Sequence, residues 1–275
     1  MVNLTSFTLK HELPISVRQF LDFFESAPHL REVDILPITS ISDAQDGRLV
    51  PLVCLQRMDA GHHPSSSLFN HLLIPAGTLL MMGVDLPSPP IDGRPPRFID
   101  NLKNLSNFTK IKLHGGTPYV RFKGPNGEVW MRTRATQVQL LLGSLANFDT
   151  SKTERLRIMD CKNPPSSDPV YQALLPMKSL HTLKLHRCQD SHIFIYALCP
   201  SMSSSGAMVC PKLEQLDIVY ELAFDIRGVV ATVAARASKG TKLKSVKISA
   251  WSEVVYSQTD MLELKKHVLD VECDP

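Results

Sequence analysis

Leu180-His181-Thr182-Leu183-Lys184-Leu185-His186-Arg187-Cys188 is the stretch from which the rest of the chain can be read. Alternation through Leu183 and Leu185 suits a strand with one buried face, because successive side chains of a strand point to opposite sides. Cys188, small and weakly polar, suits a buried corner where that strand ends. The same frame begins at Leu4, Leu30, Leu55, Leu80, Phe108, Thr153, Leu180, Leu213 and Leu243. The copy near Leu79 to Met82 is degenerate, whereas Leu156, Ile158 and Cys161 repeat the spacing of Leu183, Leu185 and Cys188.

Between the starts, mostly spaced by roughly 24 to 33 residues, lie stretches of helical spacing. Ser16 is placed to cap a helix whose Val17, Phe20, Leu21 and Phe24 fall at i, i+3, i+4 and i+7, and Pro28 stops it. Short apolar helices are expected around Leu68 to Leu73, at Phe98, Ile99 and Leu102 after the proline-rich Pro87 to Pro96, and from Val138 to Leu145. Asp168-Pro169 reads as a cap and first-turn proline for a helix carrying Tyr171, Leu174 and Leu175. A further helix from about Asp225 to Ala237 is closed by Gly240. One strand plus one helix cannot bury its own apolar side, so successive copies must stack. The expected fold is therefore α/β: a leucine-rich-repeat solenoid, a horseshoe of the ribonuclease-inhibitor kind. Its parallel strands would line the concave face and its helices the convex face, through residues 1–275 as one domain.

The interval from Phe108 to Thr153 breaks the period. It holds Tyr119 to Lys123, Gly124-Pro125-Asn126-Gly127 and Glu128 to Arg132, two alternating runs around an Asn-Gly turn. That pattern predicts an inserted hairpin at about 118–134, lying against the stacked strands because a two-stranded ribbon is marginal alone. At the other end, Met261, Leu262 and Leu264 with Lys265 and Lys266 read as an amphipathic cap at about 259–275. No cap precedes Leu4, Phe7 and Leu9, so an apolar edge is expected there, to be covered by another domain or chain.

Composition narrows the function classes. A net charge of +3 does not by itself demand a nucleic-acid or membrane partner, and 43% hydrophobic with 21% charged residues places the chain among folded proteins. Cys54, Cys161, Cys188, Cys199, Cys210 and Cys273 lack short disulfide spacing and fit a reducing compartment, cytoplasmic or nuclear. No secretory signal opens the chain, and the most apolar span, Leu72 to Val84, is interrupted by Pro75 and Gly77. Phosphate-loop, dinucleotide, zinc-protease and serine-hydrolase motifs are absent, so no catalytic residue or cofactor is expected. Cys188 and His192 lack the paired spacing of a zinc site, and no metal is expected. His62-His63 reads as a solvated loop, and Asp43 to Gly47 as a turn.

The residues between the leucines face outward. In chain order they are Glu32 and Asp34; Arg57 and Asp59; Lys110, Lys112 and His114; Arg155 and Arg157; Lys184 and His186; Gln215 and Asp217; Ser245 and Lys247. The middle strands thus carry Lys110, Lys112, Arg155, Arg157 and Lys184 with no acid among them. Neighbouring strands are about 4.8 Å apart, where like charges repel by roughly 1 kcal/mol in watery surroundings. The expected binding set is Lys110, Lys112, His114, Arg155, Arg157, Lys184 and His186 with Trp130 from the ribbon. The expected partner is an acidic or phosphorylated protein segment. Nucleic acid on the same strip is the alternative. Tyr119, Phe122 and Trp130 are expected to pack the ribbon against the body rather than to stack bases.

Leu55-Gln56-Arg57-Met58-Asp59-Ala60-Gly61, the helix within Ser67 to Gly77, and Glu154-Arg155-Leu156-Arg157-Ile158 together resemble the repeat region of the large fungal family of F-box proteins. The resemblance covers essentially the whole chain. It implies a non-enzymatic ubiquitin-ligase adaptor whose repeats select the substrate. No F-box is found in these 275 residues, so a Skp-type adaptor is an expected partner only where an F-box precedes this region.

Overall fold

The computed structural model describes residues 3–10, 15–35, 47–64, 66–83, 107–117, 119–125, 127–132, 142, 145, 148–162, 166–200, 208–220, 226–250 and 257–274. The expected helix at Phe98 to Leu102 and the proline-rich stretch lie outside these residues, as does most of the helix at Val138 to Leu145.

The strands in chain order are β1 (Ser6–Leu9), β2 (Glu32–Ile35), β3 (Val50–Pro51), β4 (Arg57–Pro64), β5 (Leu72–Leu73), β6 (Leu79–Gly83) and β7 (Lys110–His114). They continue with β8 (Tyr119–Gly124), β9 (Gly127–Arg132), β10 (Arg155–Met159), β11 (Thr182–His186), β12 (Gln215–Tyr220), β13 (Ser245–Ala250) and β14 (Asp270–Asp274). The protein is α/β, and its strand pairing is mostly parallel. It forms two compact units, one of Met1–Phe108 with Tyr119–Ala135 and one of Thr109–Pro118 with Thr136–Pro275.

In the first unit the sheet order is β1-β2-β4-β6-β9-β8, parallel except for the antiparallel β8–β9 pair, and β3 pairs separately with β5. The hairpin is therefore not laid upon the strands but built into the sheet, with β9 parallel to β6. Its two strands meet at the Gly124–Gly127 pair. A side chain at Gly124 would put a Cβ 2.9 Å from the Asn107 carbonyl oxygen, so only glycine fits this close approach. Val120, Phe122, Val129 and Met131 point into the core beside Leu80 and Met82. In β1, Phe7 and Leu9 are only half-buried, with Phe7 packed on Phe23 at 4.4 Å.

The first helix, Val17–Ser26, forms as its residues dictate. Ser16 accepts from the Gln19 N–H at 3.3 Å, and the Gln19 side chain accepts from the Ser16 N–H at 2.9 Å, a reciprocal cap. Val17, Phe20, Leu21 and Phe24 are its buried stripe. Other expectations near here change. Leu68 to Leu73 is not one helix: a single turn, Ser66–Phe69, gives way to β5. His62 and His63 lie in β4 rather than in a loop, beyond an irregularity after Asp59 where Gly61 takes φ 67°.

In the second unit the order is β7-β10-β11-β12-β13-β14, parallel throughout. Register matches the sequence frame: Leu156 lies opposite Ile111 and Leu183, and Leu183 opposite Leu216, all buried. Each such side chain contributes about 1.5–3 kcal/mol by leaving water. The helices Ser167–Leu174, His192–Ala197, Ile226–Ser238 and Gln258–His267 pack in succession. Asp168 is not the cap of its helix: the helix starts one residue earlier, placing Asp168 in the acid-favouring first turn with Pro169 after it. Gly240, at φ 78°, ends the Ile226–Ser238 helix as expected. The expected cap at 259–275 is a helix followed by another strand. In β14, Val271 and Cys273 stand opposite Val246 and Ile248, continuing the frame beyond Leu243.

Where strands end, the chain turns through left-handed residues. Asp160 (φ 51°) and Arg187 (φ 53°) directly follow β10 and β11. Cys161 and Cys188 then point inward and are buried. The Cys161 thiol is pushed far up by its hydrogen bond with Cys188 and by burial, and burial pushes Cys210 up to about 12. Such thiols are inert packing groups.

Among the described residues the largest fully buried side chain is Arg236, which no sequence pattern flagged. Its guanidinium donates to the carbonyls of Leu198 (3.3 Å), Val209 (2.9 Å) and Cys210 (2.8 Å), tying the end of one helix to the entrance of β12. Replacement by an apolar residue removes these donors from buried carbonyls, of which that of Cys210 keeps the Leu213 N–H at 3.0 Å. Arg236→Met is expected to lower stability by about 3 kcal/mol, read from urea midpoints, and Arg236→Lys to recover only part because an ammonium lacks the planar fork.

Candidate partner-binding face

Parallel register converts the outward residues of the second unit into rows. One row runs Lys110, Arg155, Thr182, Gln215, Ser245, Asp270. The next runs Lys112, Arg157, Lys184, Asp217, Lys247, Glu272, and the third His114, Met159, His186, Val219, Ser249, Asp274. The structure therefore brings Lys110, Lys112, His114, Arg155, Arg157, Lys184 and His186 onto one face. Trp130 belongs to the first unit.

Charge along these rows is less uniform than the sequence suggests. Lys184 is not an unbalanced cation: its Nζ lies 2.6 Å from Asp217 Oδ2, the residue opposite it on β12. Lys247 is likewise paired with Glu272 at 3.0 Å. Lys110 and Arg155 are exposed and make no ion pair among the described residues. Arg157 has no carboxylate either among the described residues. Its Nη2 lies 3.1 Å from His186 Nδ1, while its Nε is buried with no hydrogen-bond partner. Since a guanidinium only donates, Nδ1 must accept, which places the imidazole proton on Nε2. That N–H points toward Asp217 Oδ2 at 3.7 Å, too long for a hydrogen bond. The positive field of this face is thus concentrated on β7 and β10.

The third row closes against the left-handed corner. Asp160 takes a fork from Arg187, whose Nε lies 2.6 Å and Nη2 2.7 Å from its two oxygens, and pairs with His114 Nε2 at 2.8 Å. His114 Nδ1 accepts the Thr117 backbone N–H at 3.0 Å, so the turn after β7 is fastened to a neutral imidazole. These interactions hold two non-glycine residues in a conformation that costs about 1–2 kcal/mol each. Asp160 carried no signal in the sequence reading. Asp217 did, since it stands at the Lys184 position of the next frame.

On the first unit, Tyr119 and Trp130 are outward while Phe122 is buried against Phe108. The Tyr119 and Trp130 rings stack at 5.3 Å, and Arg121 lies 4.9 Å over the indole. Glu128 accepts from the Trp130 indole and from Arg121 at 2.8 Å. Burial opposes the charge of Glu128, but those hydrogen bonds outweigh it and hold the carboxyl below its usual range. The expectation that all three aromatics pack the ribbon against the body holds for Phe122 alone.

Among the described residues, no group of three or more His, Cys, Asp or Glu is placed to hold a metal, and no helix is long and apolar enough to cross a membrane. No protein-family model matches the chain, and a comparison with curated proteins finds no match.

His114 and His186 both titrate below their ordinary 6.5. For His114, burial is the main cause, with Lys112 and Arg187 adding to it and Asp160 opposing. For His186, burial leads again, then Arg157, with Asp217 opposing. Below about pH 6.5 the unfolded chain therefore binds more protons than the folded one, so stability falls with acid. Urea midpoints are expected to drop as pH is lowered from neutrality through this window. His114→Gln and His186→Gln should each flatten that slope.

Proposed function

We propose that this chain is a non-enzymatic protein-interaction module: a leucine-rich-repeat horseshoe acting as the substrate-recognition region of an F-box-type ubiquitin-ligase adaptor in the cytoplasm or nucleus. Its outward sheet face on β7 and β10 receives an acidic or phosphorylated segment of a protein substrate. Skp-type recruitment belongs to this reading only where an F-box accompanies the region. The repeated frame, the parallel register and the run of helices support the architecture. The function rests chiefly on one observation: Lys110, Arg155 and Arg157 share a face and make no carboxylate contact among the described residues.

The physical case is that repulsion stored among neighbouring cations is relieved by an incoming anion. Arg157 is held by a neutral imidazole rather than an acid, so its charge stays available and its planar fork oriented. A phosphate monoester carries nearly two negative charges at neutral pH and can meet both arginines, which stand two residues apart on β10, about 6.6 Å along the strand.

A fluorescent peptide carrying one phosphoserine among aspartates tests this. Charge reversal at Arg155 and Arg157 together should weaken binding at least about tenfold. Asp217→Asn, which releases Lys184, should tighten it severalfold. Unchanged affinity in the reversed protein overturns the reading. Equal binding of single-stranded DNA with a steep salt dependence would replace it with nucleic-acid recognition.

A further inference from the structure

A second row of outward residues runs through the first unit and has a different character. Register aligns Asp34 with Asp59, Asp59 with Met81, Met81 with Trp130 and Trp130 with Arg121. Beside it lies the row Glu32, Arg57, Leu79, Glu128, Lys123. Along the row the surface passes from carboxylate, through thioether and indole, to guanidinium. Four strand spacings of about 4.8 Å make it about 19 Å long.

Its two ends are not equally self-contained. Asp59 meets Arg57 at 3.5 Å, whereas Asp34 makes no ion pair among the described residues. At the far end Arg132, opposite Tyr119, makes no ion pair among the described residues and lies 3.7 Å from the Met81 sulfur. In the middle, Trp130 has its N–H satisfied by Glu128 and one flank covered by Arg121. That leaves a rigid aromatic and thioether surface with no polar demand of its own. Tryptophan, tyrosine, arginine and methionine are the side chains that concentrate binding energy at protein interfaces, and two stacked aromatics outward on a charged sheet face have no core-packing explanation.

We propose that this row is a docking surface for an extended polypeptide segment presenting, in order, a basic, a large apolar and an acidic side chain. The basic residue faces Asp34 and Asp59, the apolar one lies on Met81 and Trp130, and the acidic one meets Arg132, because Arg121 is already paired with Glu128 at 2.7 Å. Charge complementarity selects the class of partner: nucleic acid suits the ribbon alone and is repelled by Glu32, Asp34 and Asp59, whereas a polypeptide of mixed charge matches both ends. At about 3.3 Å per residue, the row accommodates about six residues, with the basic and apolar side chains three to four apart.

The probes are fluorescent alanine-based peptides holding one lysine, one phenylalanine and one glutamate in that order, the reversed and scrambled orders, and a deoxythymidine oligonucleotide. The whole chain should bind the first order tightest. Trp130→Ala should weaken it about tenfold, with the thermal melt checked in parallel. Asp34→Lys, an outward substitution, should shift preference toward peptides lacking the lysine, and it decides the matter should Trp130→Ala fail to fold. Charge reversal at Arg155 and Arg157 should leave this binding unchanged, which separates the two faces. Equal binding of all orders, no measurable peptide binding, preference for the oligonucleotide, or indifference to Asp34→Lys would each overturn the proposal.

Discussion

Parallel strands with one face buried have almost no freedom of register. A slip of one residue would turn Leu183 and Leu185 outward and bring Lys184 into the interior, at a cost no local gain could offset. The observed pairing, Leu183 opposite both Leu156 and Leu216, is the arrangement that keeps every inward side chain apolar. Once that is fixed, the outward residues have no choice of neighbours. The candidate surfaces are by-products of core burial, and their chemistry is set by what the sequence places between the leucines.

The strand ends carry the compensating strain. Each strand must reverse toward a helix within a few residues, and in β10 and β11 this is done by a left-handed aspartate and a left-handed arginine rather than glycine. Their opposite charges meet across the corner, and His114 joins from the neighbouring strand. Arg236 does comparable work on the helical side, donating to the carbonyls of a helix end and of the approach to β12. Neither device shows as periodicity, because each depends on residues brought together from distant frames.

That contrast explains what could be read from sequence. Strands were legible wherever inward residues repeat the frame, including the weak copy at β6, because burial imposes a period of two. The hairpin was legible from alternation, but not its incorporation: pairing of β9 with β6 depends on edge hydrogen bonds that carry no side-chain signature. β14 was hidden because Val268, Val271 and Cys273 replace leucines. Aromatic residues were misjudged for a plainer reason. Phe122 sits between Arg121 and Lys123, whereas Trp130 sits between Val129 and Met131 and in line with Glu128 and Arg132, so the alternation itself puts Trp130 on the outer face.

The face on β7 and β10 shows why charge counted along a chain differs from charge on a surface. Lys184 and Asp217 are thirty-three residues apart, so a phrase-by-phrase reading assigns them to separate units. In the sheet they are opposite each other and neutralise at 2.6 Å. Arg155 and Arg157 look no different from Lys184 in sequence, yet their neighbours on both sides are basic or uncharged. Arg157 has only a half-buried neutral imidazole to meet, which leaves its charge uncancelled. The distribution of partners across strands, more than the number of cations, is what distinguishes a surface able to attract an anion from one that has already satisfied itself.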